Sequence, residues 1–283
     1  MYYTLSLLAG VLISVMVALN GGLAEAYGMY TATVLIHVAG LLFVLAPMLI
    51  KSENPFAKRC AWFLYMGGGV GVLTVLFNNF AFGRISVSAI LALSLFGQTV
   101  CGLIIDQHGF FGMPKHPFQK RKLIGLLIVM AGSVSMLTSL EVMAVIVSLA
   151  TGATIVVSRT LNARLAELTS VRVSTFYNFF VGLAVAMLLF LLVGFGELVY
   201  IEFTPNVLVY LGGVVGACIV LICNITVTRI SAFYLTLLMF IGQVFAGILI
   251  DAAISREFSL HNVVGGLLVT VGLCTNVAID YYS

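Results

Sequence analysis

Charged residues are scarce in this chain. Only 8% of its 283 residues are Asp, Glu, Lys or Arg, whereas soluble proteins average about 25%. Hydrophobic residues make up 62% and the mean hydropathy is +1.19, so a water-soluble domain is excluded. A helix needs roughly 20 apolar residues to cross a bilayer. Stretches of this kind predict an all-α integral membrane protein with ten spans, at about 3–20, 29–50, 61–82, 85–105, 123–139, 142–160, 172–194, 207–227, 230–250 and 262–280.

Motifs for metal, nucleotide or covalent chemistry are also missing. The five cysteines show no C-x-x-C spacing, and four of them lie within apolar stretches. This pattern indicates packing residues rather than a disulfide framework or a metal site. No Walker loop, H-E-x-x-H or G-x-S-x-G occurs. We therefore expect neither an enzyme nor ATP-driven transport, and no cofactor or bound metal.

Basic residues lie almost entirely on one side of the predicted spans. Of the 13 Lys and Arg residues, only Arg84 and Arg256 fall on the side opposite to both termini. Arg159, next to the last residue of predicted span 6, is counted with the residues of the terminal side. Cytoplasmic connections are rich in Lys and Arg, so we expect a multi-pass protein of the bacterial inner membrane with both termini cytoplasmic. The net charge of +3 then reflects topology and contact with anionic lipid, and nucleic-acid binding is not expected.

Two stretches of the chain carry the same polar pattern, G-Q-x-x-x-G-x-x-x-D. Further matches pair NGGLAE with NARLAE, GGGVG with GGVVG, and one Arg-Ile-Ser turn with another. The matched ranges are 97–106 with 242–251, 20–25 with 162–167, 67–71 with 212–216, and 84–86 with 229–231. We interpret the chain as two homologous units, 1–140 and 141–283, of five spans each. Because five is odd, the second unit is inverted in the membrane, which is a recurrent construction of secondary transporters.

These motifs follow one another in a recognisable order. N-x-x-L-A, a Gly-rich third span, the Arg-Ile-Ser turn and above all LSLFGQTVCGLIIDQHGFFG at 93–112 resemble the YdcZ family of the drug/metabolite transporter superfamily, in both halves. The resemblance implies an inner-membrane exporter of a small molecule. In small multidrug relatives a Glu in the first span binds substrate and proton. Spans 1 and 6 as predicted here contain no acidic residue, so proton-coupled export of lipophilic cations is not carried over.

Polar and aromatic side chains within the spans are the candidates for substrate binding. Gln98 and Gln243 occupy equivalent places in spans 4 and 9, with Ser94 one turn before Gln98. An unpaired amide in hydrocarbon costs roughly 2–7 kcal/mol, so the two amides either line a central cavity or hold helices together. Asn79 and Asn224 either bind substrate or cap helix ends, and the aromatic residues either form a stacking wall or pack the core. The full set is Gln98, Gln243, Ser94, Asn79, Asn224, His37, Phe96, Phe240, Tyr177 and Tyr234.

A second set of residues is a candidate for gating or coupling. His37 is a deep imidazole that titrates near neutral pH, so it either carries a coupling proton or packs between helices. Asp106 and Asp251 either pair with basic or interfacial groups or form a gate that opens and closes as the halves exchange. Asn20 and Asn162 are expected to end spans 1 and 6, at the mouths of a vestibule or as helix breakers.

The predicted function is secondary-active export of a small organic metabolite or drug-like solute by alternating access. The deep polar groups are expected to be neutral amides, hydroxyls and one His, so the solute is expected to be neutral or weakly charged. One chain is sufficient for the pathway, while a dimer and a coupling proton or ion are left open. The alternatives are a channel for small ions or solutes and a membrane scaffold that transports nothing.

Overall fold

The structure is a computed structural model, and it describes residues 1–110, 120–137, 141–200, 203–226, 229, 232–255 and 259–281. Within these residues the α-helices are α1 (Tyr2–Tyr27), α2 (Met29–Ile50), α3 (Gly67–Ala81), α4 (Val87–His108), α5 (Lys122–Ser135), α6 (Val142–Leu168), α7 (Val171–Leu189), α8 (Gly212–Thr226), α9 (Ala232–Ser255) and α10 (Leu260–Tyr281). Short 3₁₀ helices, Trp62–Met66 and Val207–Leu211, lead into α3 and α8, and a π-helical turn, Phe190–Gly194, extends α7. The side chains of Asp106 and Tyr234 lie outside the described part of the structure.

Most of these helices are long and apolar enough to cross a membrane. In the described part of the chain eight helices meet that condition. Helix α5, Lys122–Ser135, and the part of α10 at Leu260–Asn276 are shorter apolar helical segments. Together they correspond to the ten predicted spans, so the all-helical membrane fold is confirmed. Helix α5 is shorter than its predicted span because it ends at Ser135. Its 14 residues rise about 21 Å at 1.5 Å per residue.

Helices α1 and α6 extend beyond the spans predicted for them. The predicted ends were set by falling hydropathy at residues 20 and 160, but the helices continue to residues 27 and 168. Both added segments contain the sequence Leu-Ala-Glu, whose residues are strong helix formers, so each helix persists where its apolar stretch ends. The prediction that Asn20 and Asn162 end their spans is therefore wrong, because both lie inside helices.

The longer helices also carry acidic residues. Glu25 lies near the end of α1 and Glu167 near the end of α6, which corrects the expectation that these spans contain no acid. Both side chains are exposed, and neither lines the central cavity described below. They therefore stand at the margins of the bundle rather than at its centre.

Helices of one half pack against helices of the other half in two equivalent sets. Helix α1 crosses α9 at Gly10, where a Cβ would lie 2.0 Å from the carbonyl oxygen of Met239. Helix α6 crosses α4 at Gly152, where a Cβ would lie 2.0 Å from the carbonyl oxygen of Ser94. These positions correspond in the two repeats, so only glycine permits the close backbone approach at either crossing. The packing thus follows the inverted five-helix repeat.

Helices α5 and α10 form a separate pair beside this arrangement. Their backbones approach closely through glycines of both helices, and a Cβ on Gly132 would lie 2.8 Å from the carbonyl oxygen of Gly265. The largest apolar core of the described structure joins this pair to α4 and α9, and Phe240 and Leu95 are among its fully buried side chains. The pair therefore supports α4 and α9 from outside the centre of the bundle.

Candidate functional site

A cavity of about 170 Å³ lies between the two halves of the bundle. Eight helices line it, and α5 and α10 contribute no described residue. Aliphatic side chains such as Ile13, Ile155 and Met239 form part of its wall. The polar part of the wall consists of Asn20, His37, Thr74, Asn78, Ser94, Gln98, Ser158, Arg159, Asn162, Asn178, Asn224 and Gln243. A concave space with convergent polar groups is the usual form of a small-molecule site.

The cavity brings together most of the polar side chains predicted from the sequence. Those that line it are Gln98, Gln243, Ser94, Asn224, His37, Asn20 and Asn162. They come from α1, α2, α4, α6, α8 and α9, which are drawn from both repeats. The same space is thus lined by Asn20 and Gln243, which lie 223 positions apart in the chain.

Four predicted binding residues lie elsewhere, which corrects their assignment to the cavity wall. Phe240 is fully buried in the large apolar core, and Phe96 packs against the same core. The ring of Tyr177 packs against that of Tyr65, with centroids 4.5 Å apart. Asn79 is buried and its amide has no hydrogen-bond partner in the described structure. The aromatic side chains pack the interior because an all-apolar helix presents rings to its neighbours as readily as to a cavity.

Arg159 is a cavity residue that sequence analysis placed elsewhere. Helix α6 continues nine residues beyond it, about 14 Å at 1.5 Å per residue. Arg159 therefore lies within the bundle rather than at the cytoplasmic end of its span. The expectation that the deep polar groups are neutral amides, hydroxyls and one His is wrong. The sequence does mark the position of Arg159 as unusual, because the two repeats differ there. Matching Asn20 with Asn162 places Val17 at the position equivalent to Arg159.

The guanidinium group of Arg159 has few protein partners. Its Nη2 donates a hydrogen bond to Oε1 of Gln98 at 3.3 Å. No Asp or Glu is among the described residues that line the cavity. Arginine has five N–H donors, and a cation at the middle of a spanning helix costs about 2.5–3.5 kcal/mol on insertion scales. The cavity therefore holds a positive charge that the surrounding side chains do not neutralise.

The two repeated glutamines face the same cavity in different surroundings. Gln98 joins α4 to α6 through its bond from Arg159. The side chain of Gln243 forms no hydrogen bond within the described structure, although its backbone carbonyl accepts one from Oγ of Ser14 at 2.5 Å. Among the described residues, neither amide side chain bonds to the backbone of a neighbouring helix. Both amides are thus placed where a ligand or water in the cavity could reach them.

Asparagines that line the cavity from the two halves differ in how well they are paired. Asn162 donates a hydrogen bond to Oδ1 of Asn178 at 2.7 Å, and its carbonyl oxygen accepts one from Ser174 at 2.7 Å. In the other half, Oδ1 of Asn20 and Oδ1 of Asn78 are buried with no hydrogen-bond partner. Buried polar atoms are normally paired with protein or water. These two oxygens therefore mark places where the cavity would receive water or a ligand.

His37 lies in the cavity wall and is held by its own helix. Its Nδ1 is 2.8 Å from the carbonyl oxygen of Thr33, one turn earlier. A carbonyl can only accept, so Nδ1 carries the proton and Nε2 is left unprotonated in the neutral ring. The imidazole packs beside the ring of Phe179, with centroids 5.9 Å apart. No acidic side chain in the described cavity wall would stabilise an imidazolium there.

Carboxylates cap the N-termini of two helices on the predicted external side. Asp251 of α9 accepts hydrogen bonds from the backbone N–H groups of Val87, at 2.7 Å, and Ser88, at 2.9 Å, in the first turn of α4. Glu197 accepts one from the N–H of Thr31 in α2, at 2.8 Å. A carboxylate at a helix N-terminus is stabilised by about 0.3–1 kcal/mol through the helix dipole. Asp251 thereby links α9 of one half to α4 of the other.

A further ion pair links a connection to a helix on the predicted cytoplasmic side. Nε of Arg172, at the start of α7, donates to Oε2 of Glu53 at 2.6 Å. Hydrogen bonds from Ser170 and Arg172 lower the pKa of Glu53 below its ordinary value. The segment between α2 and α3 is thereby fixed to α7.

Comparisons with known proteins agree with this architecture. A family model described as "Putative inner membrane exporter, YdcZ" matches residues 1–135 and again 143–275. The chain belongs to the YdcZ family. A solved structure titled "Crystal structure of protein" has the same fold, with a TM-score of 0.65 at 16% identity over 98% of this chain and 96% of that one. Comparison with curated proteins gives no match.

Membership of the YdcZ family makes this protein a membrane transporter. The family model matches once in each half, and the cavity lies where the two halves meet. The arrangement offers hydrogen-bond donors and acceptors and one fixed positive charge to a small molecule in a lipid bilayer. Covalent chemistry has no nucleophile–base pair among the described cavity residues.

Proposed function

We propose that this YdcZ-family protein is a secondary-active transporter that exports a small organic solute through the central cavity by alternating access. The observation that carries the proposal is the position of the cavity between two halves that make equivalent contacts at α1–α9 and α6–α4. Each half can in principle adopt the conformation of the other, which turns the cavity from one membrane face to the other. The halves are units 1–140 and 141–283, one chain suffices, and both termini are cytoplasmic.

The contact between Asp251 and the first turn of α4 is the external gate in this proposal. It joins helices of different halves through two backbone hydrogen bonds, so exchange of the halves has to break it. Asp106 is its counterpart in the repeat and would make the equivalent contact with α9 in the opposite state. His37 is the candidate for proton coupling because it is a titratable ring in the cavity wall.

Cys223 offers a test that needs no substrate. It is a buried residue of α8 that lines the cavity. In a variant that keeps only this cysteine, a charged methanethiosulfonate reagent is applied to one side of oriented proteoliposomes at a time. We expect labelling from either side, because each conformation opens the cavity to one face. The matched control keeps only Cys274, which is exposed on α10, and should stay unlabelled because a charged reagent does not enter the lipid that surrounds this helix.

The alternative functions give other combinations of labelling and conductance. A channel would label from both sides and would also carry a steady current across a planar bilayer. A scaffold without conformational exchange would leave Cys223 unlabelled from at least one face. Labelling from both sides without conductance therefore supports the transporter, and either other result contradicts it.

A further inference from the structure

We propose that the solute is a small organic carboxylate and that Arg159 binds its carboxylate group. The inference rests on the proposed function, since it assigns a chemical class to the cargo of the central cavity. Arg159 lines the cavity from α6, and the described wall contains no Asp or Glu. A cation enclosed among apolar helices is retained where it has an anion to bind. No residue of the described cavity wall supplies that anion, so we assign it to the ligand.

The geometry of the guanidinium group leaves room for such a ligand. Its hydrogen bond to Oε1 of Gln98, at 3.3 Å, orients one side of the guanidinium group. Because the Gln98 amide is neutral, this bond does not neutralise the positive charge of Arg159. The planar fork of remaining N–H donors matches the two oxygens of a carboxylate, which is the usual bidentate partner of arginine. Gln98 is therefore a positioning residue for Arg159.

Two other arginines, one on the same helix and one at the start of α7, behave differently. Arg164 pairs with Glu167 and Arg172 pairs with Glu53, each at 2.6 Å. Both lie near helix ends, and both have a carboxylate of the protein within reach. Arg159 has none, although it lies deeper in the bundle than either. Structural pairing therefore accounts for those two arginines and leaves Arg159 available.

The repeat indicates that packing alone does not require an arginine at this position. The equivalent residue in the first half is Val17, which is buried at 2% exposure. An aliphatic side chain thus suits the equivalent site on α1, and only one half of the cavity carries the charge. An asymmetric ligand, charged at one end and uncharged at the other, fits this difference.

The remaining wall limits the size and polarity of the ligand. A cavity of about 170 Å³ corresponds to about five or six waters at ~30 Å³ each. Ile155 lies one turn from Arg159 on the same helix, and Ile219 and Met239 also line the space. These side chains suit a short apolar body. The solute is accordingly a monocarboxylate with a compact aliphatic or single-ring body.

Matched pairs of probes test the charge directly. Purified full-length protein in detergent is titrated calorimetrically with 3-methylbutanoate and 3-methylbutanamide, and with benzoate and benzamide. Within each pair the shape is the same and only the charge differs. We expect the carboxylate to bind at least about tenfold more tightly than its amide, a difference equal to ~1.4 kcal/mol. Equal affinities within a pair, or no binding of either acid, would overturn the inference.

Two substitutions and a control locate the effect at Arg159. Arg159→Gln should remove the preference for the acid while changing amide affinity by less than about twofold, and Arg159→Lys should retain part of it because the charge remains but the fork is lost. Arg164→Gln, on the same helix, should leave both affinities unchanged. An unchanged acid preference in Arg159→Gln would also overturn the inference. If Arg159→Gln does not fold, the inference is still tested by the ratio of acid to amide affinity in the wild type and by the reduced ratio expected for Arg159→Lys.

Failure of this inference and failure of the proposed function are separable. Labelling of Cys223 from the two membrane faces requires no ligand, so it reports on alternating access whatever the solute is. Two-sided labelling together with equal binding of acid and amide would leave a transporter of uncharged solutes. One-sided labelling together with a preference for acids would leave an anion-binding protein that does not alternate.

Discussion

A methyl group at Gly152 tests the helix crossing on which the cavity depends. Its Cβ would lie 2.0 Å from the carbonyl oxygen of Ser94 and 2.4 Å from the backbone nitrogen of Gln98. Both atoms belong to the backbone of α4, so no side chain can move aside, and the two helices must separate by about 1 Å or more in a close-packed interior. Overpacking of this kind costs typically about 1–3 kcal/mol.

Gly102→Ala is the matched control for this substitution. Gly102 lies on α4 and has nothing within 4 Å of an added Cβ, so alanine should be neutral or stabilising by up to about 1 kcal/mol through helix propensity. For a chain of this size 1 kcal/mol corresponds to about 2–4 °C. We therefore expect Gly152→Ala to melt about 2–12 °C below wild type in a differential scanning experiment, and Gly102→Ala at or above it. Equal melting temperatures for the two variants would refute the close approach of α4 and α6.

Three further predictions concern individual polar groups. Gln243→Ala should weaken binding of the carboxylate probes by about one hydrogen bond, ~0.5–1.5 kcal/mol, without lowering the melting temperature; a sharp fall in melting with unchanged affinity would make the amide structural. Glu53→Gln should lower the melting temperature at pH 7. The lowered pKa of Glu53 means that its hydrogen bonds from Ser170 and Arg172 stabilise the fold above the ordinary pKa of about 4.3. That difference should vanish as the pH falls through the lowered pKa, and a difference that persists in acid would contradict the assignment. Asn162→Ala should destabilise by about 1–3 kcal/mol, since it strands a buried acceptor, whereas Asn20→Ala removes an oxygen that has no partner and should melt near wild type; the reverse order would contradict the pairing described.

The architecture could be predicted from the sequence because the two halves carry the same few polar residues at matching positions. In a chain with so little polar content, each matched Gln, Asp or Asn carries much information about which positions correspond. The correspondence of Gly10 with Gly152 follows from the same alignment and marks both helix crossings. The odd number of spans in each unit then determines the inverted arrangement.

Arg159 could not be placed in the same way, because hydropathy and helix length are separate properties. An apolar stretch ends where polar residues begin, but a helix ends where its backbone loses hydrogen bonds or meets a cap. The segment after Arg159 reads TLNARLAEL, whose residues favour helix over a turn. A basic residue near the end of an apolar stretch was therefore assigned to the surface, and only the mismatch with Val17 signalled a special position.

The aromatic residues were misplaced for a related reason. A helix that is apolar on every face gives no periodicity from which its cavity side can be read. Phe240 and Gln243 are neighbours on α9, yet one packs into the core and the other faces the cavity. Only the three-dimensional packing of α9 against α4 and α10 separates them.

Alternating access is tested most directly by the rates at which Cys223 is labelled from each membrane face, compared between the wild type and an Asp251→Ala variant. Removing Asp251 deletes two hydrogen bonds between α9 and the first turn of α4, which weakens the proposed external gate without touching the cavity. If the protein alternates, labelling of Cys223 from the external side should accelerate while labelling from the cytoplasmic side slows, because the two open states share one population. Acceleration from both sides, or no change from either, would contradict it.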